Sequence, residues 1–399
     1  MSFDWKLATI PVVAAVIGYA TNWLAVKMTF KPVDFVGIEP YLGWQGIIPS
    51  KARKMASIAV DASLAKLATL SEIFEEMDPD RIAEHLLKTI EPRIDQLTEA
   101  IIREREPGLW DDLPRPVKIA LIERVRRRLP STIDALVDDM VDHIEHLLDL
   151  RLMVVRKMAE DRTLLNRTFW EVGREEFRFI IRSGAYFGGL LGLIQMLIWM
   201  AFPAWWILPL AGLGVGYATN WLALNIIFRP VVPRKVGPFV LHGLFLRRQE
   251  EVSEEYAHLI TREVLTLRNF SDEMLNGPRG DRTRALIRRH AAPIVDEALG
   301  IVRPAVELAV GSRDMAAIRE DLSVQAIELS AEAFDDPVFN AERSVVVERE
   351  MAARMKEMSP SEFRGLLRPA FEEEEWKLIA VGSVLGGLAG LAQSVFVFG

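Results

Sequence analysis

The stretch GYATNWLA, Gly18 to Ala25, returns letter for letter as Gly216 to Ala223, 198 residues further on. A second string, GGLxGLxQ, runs from Gly188 to Gln195 and again from Gly386 to Gln393, at the same offset. Two units of 198 residues fill 396 of the 399 positions, so the chain reads as a tandem duplication. Both strings lie inside apolar stretches. Leu7–Val26, Ser183–Phe228 and Leu378–Gly399 hold no Asp, Glu, Lys or Arg, although 26% of the chain is charged. A helix needs about 20 apolar residues to cross a bilayer. The outer runs fit one span each. The middle run fits two, with a turn at Phe202-Pro203-Ala204 and an interfacial aromatic belt of Trp199, Trp205 and Trp206.

The expected fold is an all-α integral membrane protein made of two parallel repeats. Its expected segments are transmembrane helix 1–29, helical lobe 30–177, transmembrane helices 178–202 and 204–228, helical lobe 229–376, and transmembrane helix 377–399. The first run is read as a retained span. It is too long for the apolar core of a signal peptide, its flank holds Asp4 and one Lys, and its string recurs in mid-chain. Lys and Arg favour the cytoplasmic flanks of spans. Lys27, Lys31, Arg178, Arg182, Arg229, Arg234, Lys235 and Lys377 flank the lobe-facing ends, whereas the other side has only Lys6. Both lobes are therefore expected in the cytoplasm and both termini outside, in a bacterial inner membrane, with a pseudo-twofold axis along the membrane normal.

The absence of cysteine excludes disulfides, thiolate catalysis and Cys-ligated zinc. A net charge of −8 without a basic tail argues against sequence-wide attraction to nucleic acid. The lobes read as helical. Asp78-Pro79 marks one helix start, Pro107-Gly108 and Leu113 to Pro116 are breaks, and Pro130-Ser131-Thr132 is expected to cap another helix. Thr69-Leu70 aligns with Thr266-Leu267, so the lobes are duplicated but diverged. An apolar Gly/Pro-rich loop follows each odd-numbered span. The first holds Pro40, Tyr41, Trp44, Gln45, Gly46 and Pro49, and the second runs from Val236 to Phe245. Two readings stay open: loops lying at the headgroup level, or linkers packed on the helices.

The strings GYATNWLAVKMTFKPV from Gly18, GWQGIIPSKA from Gly43, LNRTFWEVGREEFRFI from Leu165 and EEWKLIAVGSVLGGLAGLAQ near the C-terminus together resemble the domain of unknown function 445 family, the YheB-like bacterial membrane proteins. The resemblance extends over nearly the whole chain. The second half keeps TNWLA and FRP but has Asn225 in place of Lys27 and lacks QGxIP. The family implies a membrane protein with helical cytoplasmic parts and no stated activity, so no catalytic residue carries over.

Within the spans, Gly184, Gly188, Gly192 and Gly382, Gly386, Gly390 form matching GxxxGxxxG stripes, and Gly18 and Gly216 extend the pattern to the odd spans. Small residues four apart let helices approach closely in lipid. The pattern reads first as packing. The functional alternative is a polar spot lined by Thr21, Asn22, Gln195 and their counterparts Thr219, Asn220, Gln393, beside Trp23 and Trp221. No ionisable residue lies within the uncharged runs, which argues against an ion-coupled pump. Asp139, Asp142, His143, Glu145, His146 and Asp149 crowd one expected helix. A solvated acidic face is the favoured reading over a divalent-metal site. The Arg124, Arg126, Arg127, Arg128 cluster reads as a solvated face, with anionic lipid as the alternative. GxxxxGK[ST], HExxH and GxSxG are absent.

The expected function is a non-enzymatic inner-membrane scaffold acting through its lobes, with no cofactor or metal. Expected partners are membrane lipid and a protein on the lobes, not nucleic acid. The alternative is a transporter or lipid-handling protein with a path along the pseudo-twofold axis or an apolar groove.

Overall fold

The computed structural model describes residues 5–38, 42–67, 69–105, 107–299 and 324–398. Pro40 and Tyr41 of the first loop lie outside these residues. The chain forms two compact units: Met1–Leu67 with Val155–Leu259 and Met351–Gly399, and Ala68–Val154 with Ile260–Glu350.

In the first unit, four helices are long and apolar enough to cross a membrane. They are α1 (Trp5–Phe30), α2 (Arg174–Ala201), α3 (Ile207–Phe228) and α4 (Pro360–Gln393). α4 runs well ahead of the apolar stretch expected to open the fourth span, starting at a Ser359 cap that accepts from the Glu362 N–H. α1 pairs with α2 and α3 with α4, and in each pair residue number rises along one helix as it falls along the other. Contacts of α1 with α3 and α4, and of α2 with α3, close the bundle. Of the tryptophans expected in the belt, Trp205 and Trp206 are exposed. Trp199 departs from that expectation: it is buried with Ile10, Ile207 and Leu208 and leans on the Phe398 ring at 4.8 Å. A side chain on that face of α2 points between helices, so it fills the bundle end instead of facing headgroups.

The loops after α1 and α3 form short antiparallel hairpins, Val36–Ile38 with Leu42–Trp44 and Arg234–Val236 with Phe239–Leu241. Both are followed by a buried glycine, Gly46 or Gly243, that lies against the backbone at the end of the preceding span.

The second unit takes its helices from both halves, unlike one separate lobe per half. Leu136, Met140 and Leu147 from the first half pack with Leu275 and Ile287 from the second. Each helix alone would leave that apolar stripe exposed, and pairing the halves covers it. Thr69 and Thr266 cap matching helices, accepting from the N–H of Glu72 and Asn269. Asp78 caps as expected, through the Arg81 N–H. Pro130 differs. It sits inside one 28-residue helix, Arg115–Asp142, and the Ser131 and Thr132 hydroxyls donate back to the Arg128 carbonyl instead of capping a new helix. Packing of Leu129, Ile133 and Leu136 on either side holds the helix together across the proline.

The acidic and histidine-rich segment breaks at His143, so Asp142 and His146 do not share a helix. Nor is it simply a solvated face. Asp139 bonds Nε2 of His290 at 2.7 Å and also pairs with Arg289. Arg279 reaches the carbonyls of Glu145 and Leu148 at 2.7 and 2.9 Å, and Arg282 that of His146 at 3.0 Å. Among the described residues, no group of three or more His, Asp or Glu has metal-holding geometry. Arg126 of the arginine cluster bonds Asp95 at 2.8 Å and Glu123 at 2.7 Å.

The His290 bond, with the Arg289 charge, holds the Asp139 carboxyl below its ordinary value. A depressed carboxylate pKa adds stability that is complete above the unfolded value, about 3.9, and is lost as pH falls through the folded value. Asp139→Asn should therefore lower the melting temperature at neutral pH, and the gap to the parent should close as pH drops below about 4. A gap that stays constant through that range would contradict this account.

Candidate functional site

The candidate site is the centre of the four-helix bundle. Along α1 and α2, a Cβ added at Gly18 or Gly184 would collide with the partner glycine's carbonyl, and one at Gly188 would come within 2.5 Å of the Ala14 carbonyl oxygen. At Gly192 it would meet Pro11 Cα at 2.7 Å. Along α3 and α4, Gly216 faces Gly382, Gly212 faces Gly386, and Gly390 faces the Leu208 carbonyl, with equally little room. These pairs are the first set moved on by 198 residues, apart from the last contact. Lipid offers no hydrophobic drive for helix association, so close backbone approach must supply much of it.

The asparagines complete each seam. Asn22 Nδ2 donates to the Ile180 carbonyl at 2.7 Å, and Asn220 Nδ2 donates to the Leu378 carbonyl, also at 2.7 Å. Both side chains are buried. Each reaches the next helix only because glycine stands opposite: Asn22 Nδ2 would meet a Cβ at Gly184, and Asn220 Nδ2 one at Gly382. Thr21 and Thr219 donate locally to the Gly18 and Gly216 carbonyls at 3.2 Å.

Not all the expected polar residues meet. Thr21, Gln195, Thr219 and Gln393 line one cavity of about 20 Å³ with Gly18, Gly212 and Gly386. Asn22 and Asn220 stand outside it, bonded in the helix seams. Gln195 Nε2 lies 3.5 Å from the Leu208 carbonyl, at the limit of a hydrogen bond, and Gln393 Nε2 is buried without a protein partner. About 20 Å³ is room for one water, and threonine and glutamine side chains are among the residues lining it. Drug-sized ligand pockets run to about 300–1,000 Å³. Trp23 and Trp221 take no part. Each is 46% exposed on the outer face, with the Lys27 ammonium 4.8 Å from the Trp23 ring and Asn225 Nδ2 donating to the Trp221 carbonyl at 2.8 Å.

At the loops, Gln45 Nε2 donates to the Val33 carbonyl at 2.7 Å and the Gly46 N–H to the Pro32 carbonyl at 2.8 Å. Pro49 is buried in the short helix that follows, and Trp44 is 39% exposed. The second half does the same with other letters: His242 Nε2 contacts the Val231 carbonyl at 3.2 Å, and the Gly243 N–H donates to the Pro230 carbonyl at 3.0 Å. Thus His242-Gly243 stands in for Gln45-Gly46. The offset between these pairs is 197 residues, one less than the 198 that separates the two GYATNWLA strings.

At the start of α2, Glu176 is buried and both its oxygens are held by Arg248, at 2.9 and 2.8 Å. Arg248 also forks onto Glu251 at 3.0 and 2.7 Å, which draws the Glu251 carboxyl below and the Arg248 guanidinium above their usual values. Neither residue stood out in the sequence, because the pairing joins positions 72 residues apart.

Four such helices, paired through glycine, define a multi-helix membrane protein. No family model matches the chain. Over 93 residues it is 33% identical to a UPF0754 membrane protein of Gloeothece citriformis, which amounts to 22% of this chain and 21% of that one. The chain thus matches about a fifth of the length of this curated relative, and the match points to an uncharacterised bacterial membrane family.

Gly188→Ile should separate α1 from α2 and cost on the order of 1–3 kcal/mol if overpacking in water is a guide. Leu197, 61% exposed, is the control. In detergent, Gly188→Ile should melt well below Leu197→Ile, and equal melting temperatures would remove the glycine seam as a stabilising element. Asn22→Leu and Asn220→Leu should each cost only about 0.6 kcal/mol. A loss of several kcal/mol in either would show that the amide does more than bridge one carbonyl.

Proposed function

We propose that the protein is a non-enzymatic scaffold of the bacterial inner membrane, a tandem duplication related by a pseudo-twofold axis, that acts through helical regions in the cytoplasm. Both termini are then extracytoplasmic, as the Lys/Arg asymmetry requires. The resemblance to the domain of unknown function 445 family agrees with this setting and adds no activity.

The observation that carries the reading is the packing of the bundle centre. Backbone meets backbone along both helix pairs, and the central cavity holds about 20 Å³. A carrier path needs a space that a solute can enter, and this one admits a water. The alternative, a transporter or lipid-handling protein, draws support from the paired threonines and glutamines around that cavity. Two experiments test the proposal. A reporter inserted at Gly108 should behave as cytoplasmic and one fused after Gly399 as extracytoplasmic, and the reverse result would overturn the topology. In-cell cross-linking from exposed positions of the second unit, such as Val338 or Val345, should capture a specific protein partner. Solute or lipid flux in proteoliposomes that Thr219→Val and Gln393→Leu abolish would replace the scaffold with the transporter.

A further inference from the structure

The two hairpins share a fold but not a charge. Residues 31–51 carry Lys31 and Lys51 against Asp34 and Glu39, a balance of zero. The matching residues 229–249 carry Arg229, Arg234, Lys235, Arg247 and Arg248 and no Asp or Glu. Arg248 is taken up by Glu176 and Glu251. The other four are exposed, and among the described residues no carboxylate pairs with them. Four bare cations thus lie in or beside a hairpin whose Val240 and Leu241 are 54% and 50% exposed, with Val232, 68% exposed, just before it. The hairpin begins six residues after α3 ends.

From this we infer that the second hairpin is an anionic-lipid site: its valines and Leu241 enter the headgroup boundary while Arg229, Arg234, Lys235 and Arg247 bind the phosphates of acidic phospholipids. Apolar side chains beside unpaired bases are the combination that an acidic bilayer surface complements. A purely apolar hairpin would serve a neutral interface, and a purely basic one would need no exposed valine. The first hairpin, with exposed Val36, Ile38 and Leu42 and balanced charge, touches the interface without that preference. Each basic residue near an acidic membrane surface is worth about 1 kcal/mol, so removing two should weaken binding about 30-fold. The inference rests on the membrane placement proposed above, which the reporter fusions test separately.

The test uses the full chain in neutral detergent, titrated with phosphatidylglycerol or phosphatidylcholine. The parent should prefer phosphatidylglycerol, and the preference should shrink as salt rises. R234Q/K235Q should lose about 30-fold of the phosphatidylglycerol affinity with phosphatidylcholine unchanged, while K31Q in the first hairpin should lose little. The conservative R234K/K235R should keep the preference, which separates lost charge from lost fold. Glycerol phosphate, the soluble headgroup, should not compete at matched concentration. Equal affinity in R234Q/K235Q and the parent, full competition by glycerol phosphate, or tighter binding of a duplex oligonucleotide than of phosphatidylglycerol would each overturn the assignment.

Discussion

Backbone lying directly on backbone is the constraint from which the first unit follows. Where Gly18 faces Gly184 and Gly216 faces Gly382, even a methyl group would be blocked by a carbonyl. In lipid, that proximity has to supply association that water would otherwise drive. It also sets what the neighbouring residues can do. Asn22 and Asn220 span to Ile180 and Leu378 because the glycines leave the carbonyl of the opposite helix within reach of a short amide. Aromatic side chains such as Tyr19 and Trp23, for which the seam has no room, stay on the outer face.

The second unit obeys different physics. Its seam between halves is an apolar stripe, Leu136 and Met140 against Leu275 and Ile287, flanked by Asp139 with His290 and by Arg279 with carbonyls of the facing segment. An apolar side-chain seam has many solutions, since apolar side chains of similar volume exchange at modest cost. A glycine seam in lipid has nearly one. That difference agrees with two halves that share the strings GYATNWLA and GGLxGLxQ in the spans and match more loosely elsewhere, as at the helix caps Thr69 and Thr266.

The bundle centre and the hairpins carry different chemistry. The centre is small and is lined from both halves by Thr21 and Thr219, and by Gln195 and Gln393. The hairpins keep one scaffold, with Gln45-Gly46 answered by His242-Gly243, while their charges differ. Two elements of one shape can differ in charge without a change of fold, because exposed side chains carry that charge. The Arg248 bridge to Glu176 ties the segment after the second hairpin to the start of α2, so the basic element is held on a fixed support.

Much of this was legible from residues alone. Four spans, their glycine stripes and the asparagine in each seam follow from run length and four-residue spacing, because a helix is a local structure and its faces are set by its own period. What the sequence by itself determined is therefore which helices exist and which face of each is narrow. Only the tertiary structure decided which narrow face meets which. It drew Asp139 to His290, placed Trp199 inside the bundle end, carried the helix through Pro130, and left Asn22 out of the cavity that Thr21 lines. Those outcomes join residues far apart in the chain, and no local periodicity encodes a contact whose strength depends on the shape and charge of a distant partner.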